Sequence, residues 1–203
     1  MVKQDRRTIQ TKAQITDALI QLIHEKGFNN LNVTDLTRAA GIGRGTFYIH
    51  YLDKFDLLNK IEAQLMDEIQ QVLNNVIPEE LSVHSNADSE VPSELLIKTL
   101  DYFYQNSKLL SALLSPDGDP YLIDKIKEMF RNLIKESFHA SSDDIEFNPN
   151  IPRDYIMEII LDRLMSIVVY WMSKEDLESP EEIAKIIKLT QHISPNELVY
   201  IKK

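Results

Sequence analysis

The sequence predicts an all-α protein with a small amino-terminal helical domain and a larger helical bundle behind it. Three observations carry this. Apolar residues recur at three- and four-residue intervals along most of the 203-residue chain, which is the spacing of one buried helix face. Alternating apolar and polar runs, the mark of half-buried strands, are nearly absent. Residues 31–58, LNVTDLTRAAGIGRGTFYIHYLDKFDLL, read as two short helices joined by a glycine turn, with a further helix after Asp53. That is the layout of a helix-turn-helix, whose second helix enters the major groove of DNA.

The elements follow in order. A first helix is expected over about residues 8–26, with Ile15, Leu19, Leu22 and Ile23 as its apolar stripe and Gly27 as its stop. Asn32 with Asp35 makes a capping-box start for the second helix, in which Leu36 and Ala40 share a face. Gly41 and Gly43 bracket Ile42 and permit a sharp turn. Residues 44–51 form the third helix. Asp53 caps a fourth, long helix that ends near Ile77. Residues 78–92 are polar and read as a linker or loop. A fifth helix spans about 93–114, and SPDGDP at 115–120 is a turn by composition. A sixth helix covers 121–139, and another loop covers 140–152. The last two helices span 153–173 and 180–192, with Pro180 at the start of the second, and 194–203 is a tail.

The totals narrow the function classes. There are no cysteines, which excludes disulfides and thiolate metal sites, and the five histidines show no metal-ligand spacing. No metal or other cofactor is expected. No nucleophile–base pair or phosphate-binding glycine loop stands out, so an enzyme is not expected. The amino terminus is charged and unlike a secretory signal, and the longest apolar run, 164–172, is about half a membrane span. A soluble cytoplasmic protein is the expectation. The formal net charge is −10, yet residues 1–60 hold nine Lys/Arg against six Asp/Glu, a balance of +3. A locally basic end on an acidic body fits a nucleic-acid reader, although chance clustering gives the same balance.

The chemistry sits in the turn and third helix. Phe47 and Ile42 are spaced to pack on Leu36, Leu19 and Leu58, which sets what the outer face presents. Arg44 opens the third helix, where its planar fork suits guanine O6 and N7. Gly45 lets backbone and DNA approach closely. Thr46 and Tyr48 supply hydroxyls, and His50 a ring N–H, for phosphate oxygens. Lys54 at the start of the fourth helix suits a phosphate. Thr34, near the start of the second helix, faces the same way. Lys3, Arg6, Arg7 and Lys12 form an arm for backbone or minor groove. The plain alternative is a small helical core with ordinary polar residues on its surface.

This stretch closely resembles the DNA-binding domain of the tetracycline-repressor (TetR) family over about residues 8–58. The matching motif is Ala40-Gly41-Ile42, Gly45-Thr46-Phe47-Tyr48, Tyr51 and Lys54. The resemblance implies that Thr34, Arg44 and Gly45 face bases, and that Thr46, Tyr48, His50 and Lys54 face phosphates. Gly43 departs from the family's frequent Ser, Thr37 from its usual Ala and Phe55 from its usual Glu. On this reading residues 1–53 are the DNA-binding domain, with the helix-turn-helix at about 32–51, and residues 54–203 are an effector and dimerisation domain.

The body is read on its own residues. The helix at 153–173 is apolar nearly all round, with Ile156, Ile159, Ile160, Leu164, Ile167, Val168 and Trp171. Such a helix is buried on both sides. With 180–192 it forms a four-helix interface in a twofold homodimer, as the resemblance also implies; a central helix of a monomer is the alternative. A dimer presents two reading helices to a palindromic operator. Tyr102, Phe103, Met129, Phe130 and Trp171 are candidates to line an effector pocket, with core packing as the alternative for each. Residues 170–186 resemble a TetR subgroup that includes dihydroxyacetone-kinase regulators, which implies a body that docks a protein co-regulator, possible in an activator. The main expectation is a repressor released from DNA by a small molecule.

Overall fold

The computed structural model describes residues 2–80, 94–140 and 149–192, with side chains described over 6–74, 94–133 and 149–190. Among these residues the chain is helical, with no strand. The elements are α1 (Val2–Lys26), a 3-10 turn (Phe28–Asn30), α2 (Val33–Ala39), α3 (Arg44–His50), α4 (Lys54–Glu80), α5 (Glu94–Gln105), α6 (Ser107–Leu114), α7 (Leu122–Ala140), α8 (Arg153–Met172) and α9 (Pro180–His192). The chain divides into two compact units, Met1–Glu68 with Lys108–Lys125, and Ile69–Ser107 with Ile126–Lys203. The helices α4 and α7 each run from one unit into the other. The all-α fold class read from the apolar spacing is therefore the observed one.

In the first unit, the apolar stripe of α1 is buried at Ile15, Leu19, Leu22 and Ile23, together with Leu36, Phe47, Leu57, Leu58, Ile61 and Leu65. The helix α1 packs on α2, and α2 on α3. Local chemistry sets the joints. Gly27 ends α1 at φ +78°, and Gly41 turns between α2 and α3 at φ +66°, both in the left-handed region open to glycine. Asn32 and Asp35 cap α2 reciprocally, with Asp35 N–H donating to Asn32 Oδ1 at 3.1 Å and Asn32 N–H to Asp35 Oδ2 at 3.0 Å. Asp53 Oδ1 accepts from the N–H groups of Phe55 and Asp56, both at 2.8 Å, and so starts α4. Between α6 and α7, Gly118 N–H donates to Ser115 O at 3.0 Å, and a Cβ at Gly118 would lie 2.3 Å from Leu113 O. The turn at 115–120 thus needs a glycine for space.

In the second unit, α5 packs on α9 and α8 meets α9. Its core holds Leu100, Phe103, Met157, Leu161, Met165, Val168, Trp171, Ile183 and Ile187. Lys127 pairs with Asp162, and Arg131 with Glu158 at 2.8 Å, so α7 and α8 are tied by charge.

Three boundaries differ from the sequence expectation. The single helix expected over 93–114 is two helices, α5 and α6, because Asn106 interrupts it. Its backbone N–H and its side-chain amide both donate to Tyr102 O, at 3.1 and 3.0 Å. The first is the ordinary i to i−4 helix bond, and the second adds a side-chain donor to the same carbonyl, as asparagine does where helices break. The helix α1 begins at Val2 and α4 continues to Glu80. Most of the expected loops at 78–92 and 140–152, and the tail at 194–203, lie outside the described residues.

Candidate nucleic-acid interface

The helix α3 is short and amphipathic about one residue. Phe47 is fully buried and makes tilted or edge contacts with Tyr51 and Tyr48 at ring separations of 5.5 and 5.7 Å. Tyr51 N–H donates to Phe47 O at 3.0 Å, which closes the helix. With Gly43 ahead of it, α3 has no side-chain cap. Its orientation therefore comes from the Phe47 anchor and from the turn, where Ile42 N–H donates to Thr37 O at 3.0 Å.

The other side of α3 is open. Arg44, Gly45, Tyr48 and Ile49 are exposed, while Thr46 and His50 are half-buried. At roughly 100° per residue, the four exposed residues occupy one contiguous face and Phe47 the opposite one. Thr34 is exposed on the first turn of α2. Asp35 is held below the usual carboxylate range, first by Lys26, whose ammonium lies 2.5 Å away, and then by the Asn32 N–H. A charged Asp35 keeps the start of α2 capped next to Thr34. Arg6, Arg7 and Lys12 of the amino-terminal arm are on α1, with Arg6, Arg7 and Lys12 all exposed; the side chain of Lys3 lies outside the described residues.

Lys54 is engaged within the protein. Its Nζ donates to the carbonyls of Phe28, Asn29 and Leu31 at 3.0, 2.9 and 2.9 Å. It also lies over the rings of Phe28 and Phe55, at 5.0 and 5.2 Å from their centroids. An ammonium has three protons, and three carbonyls take them. These are the donors that the expected phosphate contact would use. The carbonyls come from residues more than twenty positions earlier, so no local pattern reveals them. Phe55, where the family's usual Glu is replaced, supplies one wall of the aromatic sandwich around the cation.

A buried charged cluster in the same unit went unread in the sequence. Glu62 on α4 is 3% exposed and Asp119 8%. Lys125 Nζ donates to Glu62 Oε2 at 2.5 Å and to Asp119 Oδ2 at 3.1 Å. Glu62 Oε1 is buried without a partner. Burial, followed by the neighbouring Asp119, raises the Glu62 carboxyl to about 7. Asp119 stays below its usual range despite its burial, helped by Glu62, the Tyr121 N–H and Lys125. Of the two carboxyls, Glu62 is thus the one that takes up a proton more readily, and Asp119 the one that stays charged beside the lysine.

In the second unit α8 is apolar on two sides. One side is core. The other leaves Tyr155, Ile159, Ile160 and Tyr170 exposed, and α9 adds Ile186 and Leu189. Between these helices run two shallow grooves. One, of about 290 Å³, is lined by Ile159, Ile160, Arg163, Leu164, Ile167, Ile187 and Thr190. The other, of about 310 Å³, includes Ile167, Tyr170, Trp171 and Ile183. Of the expected pocket residues, Trp171 therefore borders an open groove. Its ring stacks on Tyr104 at 6.2 Å and its indole N–H donates to Glu178 O at 3.1 Å. Phe103 is 2% exposed and part of the core, while Tyr102, Met129 and Phe130 are half-buried. Among the described residues no group of His, Asp and Glu is placed to hold a metal, and no helix is long and apolar enough to cross a membrane.

Comparison with known proteins bears on both parts. A family model described as "Bacterial regulatory proteins, tetR family" matches residues 15–61, and one described as "Transcriptional regulator C-terminal region" matches residues 90–192, half of the chain. The helix-turn-helix regulator YxbF of Bacillus subtilis (strain 168) is 18% identical over 174 residues, covering 86% of this chain and 43% of that protein. The chain spans less than half the length of the first curated relatives it matches. A TetR regulator from Streptococcus agalactiae 2603V shares the fold at a TM-score of 0.60 and 23% identity, covering 92% of this chain and 96% of that one. The dihydroxyacetone kinase operon activator DhaS shares it at a TM-score of 0.54 and 18% identity, covering 89% and 95%. With a tetR-type reader matched at one end and a regulator body matched behind it, the chain belongs to the TetR family of DNA-binding transcriptional regulators.

Proposed function

We propose that this regulator is a homodimeric repressor that holds two copies of α3 against a palindromic operator and is released by a small-molecule effector. One observation carries the dimer. The helix α8 buries one side through Met157, Leu161, Met165 and Val168, and leaves Ile159, Ile160 and Tyr170 uncovered beside Ile186 and Leu189 of α9. A second copy across a twofold axis covers this apolar surface with its own equivalent. Arg44 and Gly45, with Thr34, then face bases, and Thr46, Tyr48 and His50 face phosphates. The acidic body repels DNA at long range, so binding depends on these local contacts. Binding chromosomal DNA puts the protein in the cytoplasm.

Release is a two-state process. One arrangement of the dimer sets the two α3 helices about one DNA turn apart, roughly 34–36 Å. An effector with higher affinity for another arrangement draws the population away from DNA. The continuous helix α4, which starts at the reader and ends in the second unit, is the lever. The test is a gel shift on DNA selected from random sequence. Arg44→Ala loses specific binding, with a drop of ~1–3 kcal/mol per half-site, and stays dimeric in sedimentation. Retained operator affinity in this variant overturns the base-reading role.

A second reading makes the body a docking site for a protein co-regulator. It rests on Phe103 and Trp171 being engaged in packing, which leaves less of the expected effector pocket. A melting temperature unmoved by small-molecule libraries, with a specific partner captured by the full-length protein, would favour it over the effector.

A further inference from the structure

The apolar part of the α3 surface is unaccounted for by guanine and phosphate contacts. Ile49 is 78% exposed in the middle of the DNA-facing side. It lies one helical turn after Gly45, and both point roughly 160–200° away from the Phe47 anchor. Gly45 is itself unexplained by the protein. Its φ is not positive, and a Cβ there would meet nothing within 4 Å. It is the second residue of α3, where alanine would serve at least as well, so neither backbone nor packing within this chain asks for it. The face is thus two parallel ridges. Arg44 and Tyr48 make a polar one, and the notch at Gly45 followed by Ile49 makes an apolar one.

In the major groove, thymine alone offers an apolar group, its 5-methyl. Phosphates and guanine edges offer nothing to an isoleucine. We propose that Ile49 reads a thymine 5-methyl group in each half-site, with the missing side chain of Gly45 leaving room for the neighbouring base edge. Ile49 is then a specificity-determining residue beside Arg44. This rests on α3 being the DNA-reading helix, and its surface is continuous with that interface.

The experiment uses the full-length protein and the DNA it selects from random sequence. Each thymine of the operator is replaced in turn by deoxyuridine, which lacks only the methyl. For the wild type, one position per half-site loses about three- to tenfold in affinity, the worth of roughly one buried methyl group. Ile49→Ala, which alters both subunits, loses about the square of that factor on the thymine operator and is then indifferent to deoxyuridine at that position. Its salt dependence is unchanged, because no phosphate contact is removed, and its melting temperature is unchanged, because the side chain is exposed. The proposal is overturned if every deoxyuridine operator binds the wild type as tightly as thymine. It is overturned equally if the penalty persists in Ile49→Ala, or if that variant melts lower. A wild type that selects no sequence at low salt overturns the DNA-reading role of α3 itself, a distinct result.

Discussion

Lys54 is a tie between two segments of the reader, and its ammonium faces inward. Three carbonyls and two rings surround it, which holds the start of α4 against the segment that leads into α2. Lys54→Met leaves those carbonyls without a charged donor. The expected loss is ~2 kcal/mol of stability, seen as a lower melting temperature, with the salt slope of operator binding unchanged. A slope smaller by about one, with normal stability, would return Lys54 to the phosphate backbone. The motif around Lys54 was legible because it is local. The capping pair Asn32 and Asp35 is three residues apart, and both hydrogen bonds form as the spacing predicts. The partners of Lys54 were not legible, because they converge only when the chain folds back.

At the scale of elements, the α4 periodicity places Glu62 between the buried Ile61 and Leu65, and a single glutamate there reads as surface. Folding puts it against Asp119 and Lys125 in the same unit. The consequence for pH has a definite sign. The folded Glu62 carboxyl titrates near 7 and its ordinary value is 4.5, so the folded state holds a proton the unfolded state has released. Stability from this group is present below about pH 4.5 and is lost as pH rises toward 7 and beyond. The change is on the order of 2–3 kcal/mol. Glu62→Gln keeps the size of the side chain and carries no charge. Urea unfolding of this variant is expected to show a flatter pH profile between 5 and 8, and higher stability than wild type at pH 8. An unaltered profile would place the titration elsewhere. The break at Asn106 was hidden for a related reason. The apolar spacing of α5 and α6 nearly continues across it, and the break is marked only by the side-chain hydrogen bond from Asn106 to Tyr102 O.

For the whole molecule, the uncovered side of α8 sets the expected assembly. Ile159→Lys puts a charge in the centre of that side, at a position 57% exposed in the single chain. The fold of one copy has room for it. A dimer has none, and burying an unpaired ammonium is expected to weaken association by on the order of a hundredfold or more. Sedimentation at micromolar concentration should show monomers with normal helical content, and operator affinity should fall with dimerisation. An intact dimer would move the interface away from α8.

Sequence alone determined the helical architecture, the turn between α2 and α3, the Phe47 anchor and the family. Each of these is written in spacings of a few residues, where backbone geometry dictates which side chains meet. Tertiary structure decided the partners that Lys54 finds within the protein, the raised Glu62 carboxyl beside Asp119, the exposure of Ile49 beside Gly45, and the engagement of Trp171 with Tyr104. Those depend on residues distant in the chain, and on which face of each helix its neighbours leave open, and no periodicity encodes either.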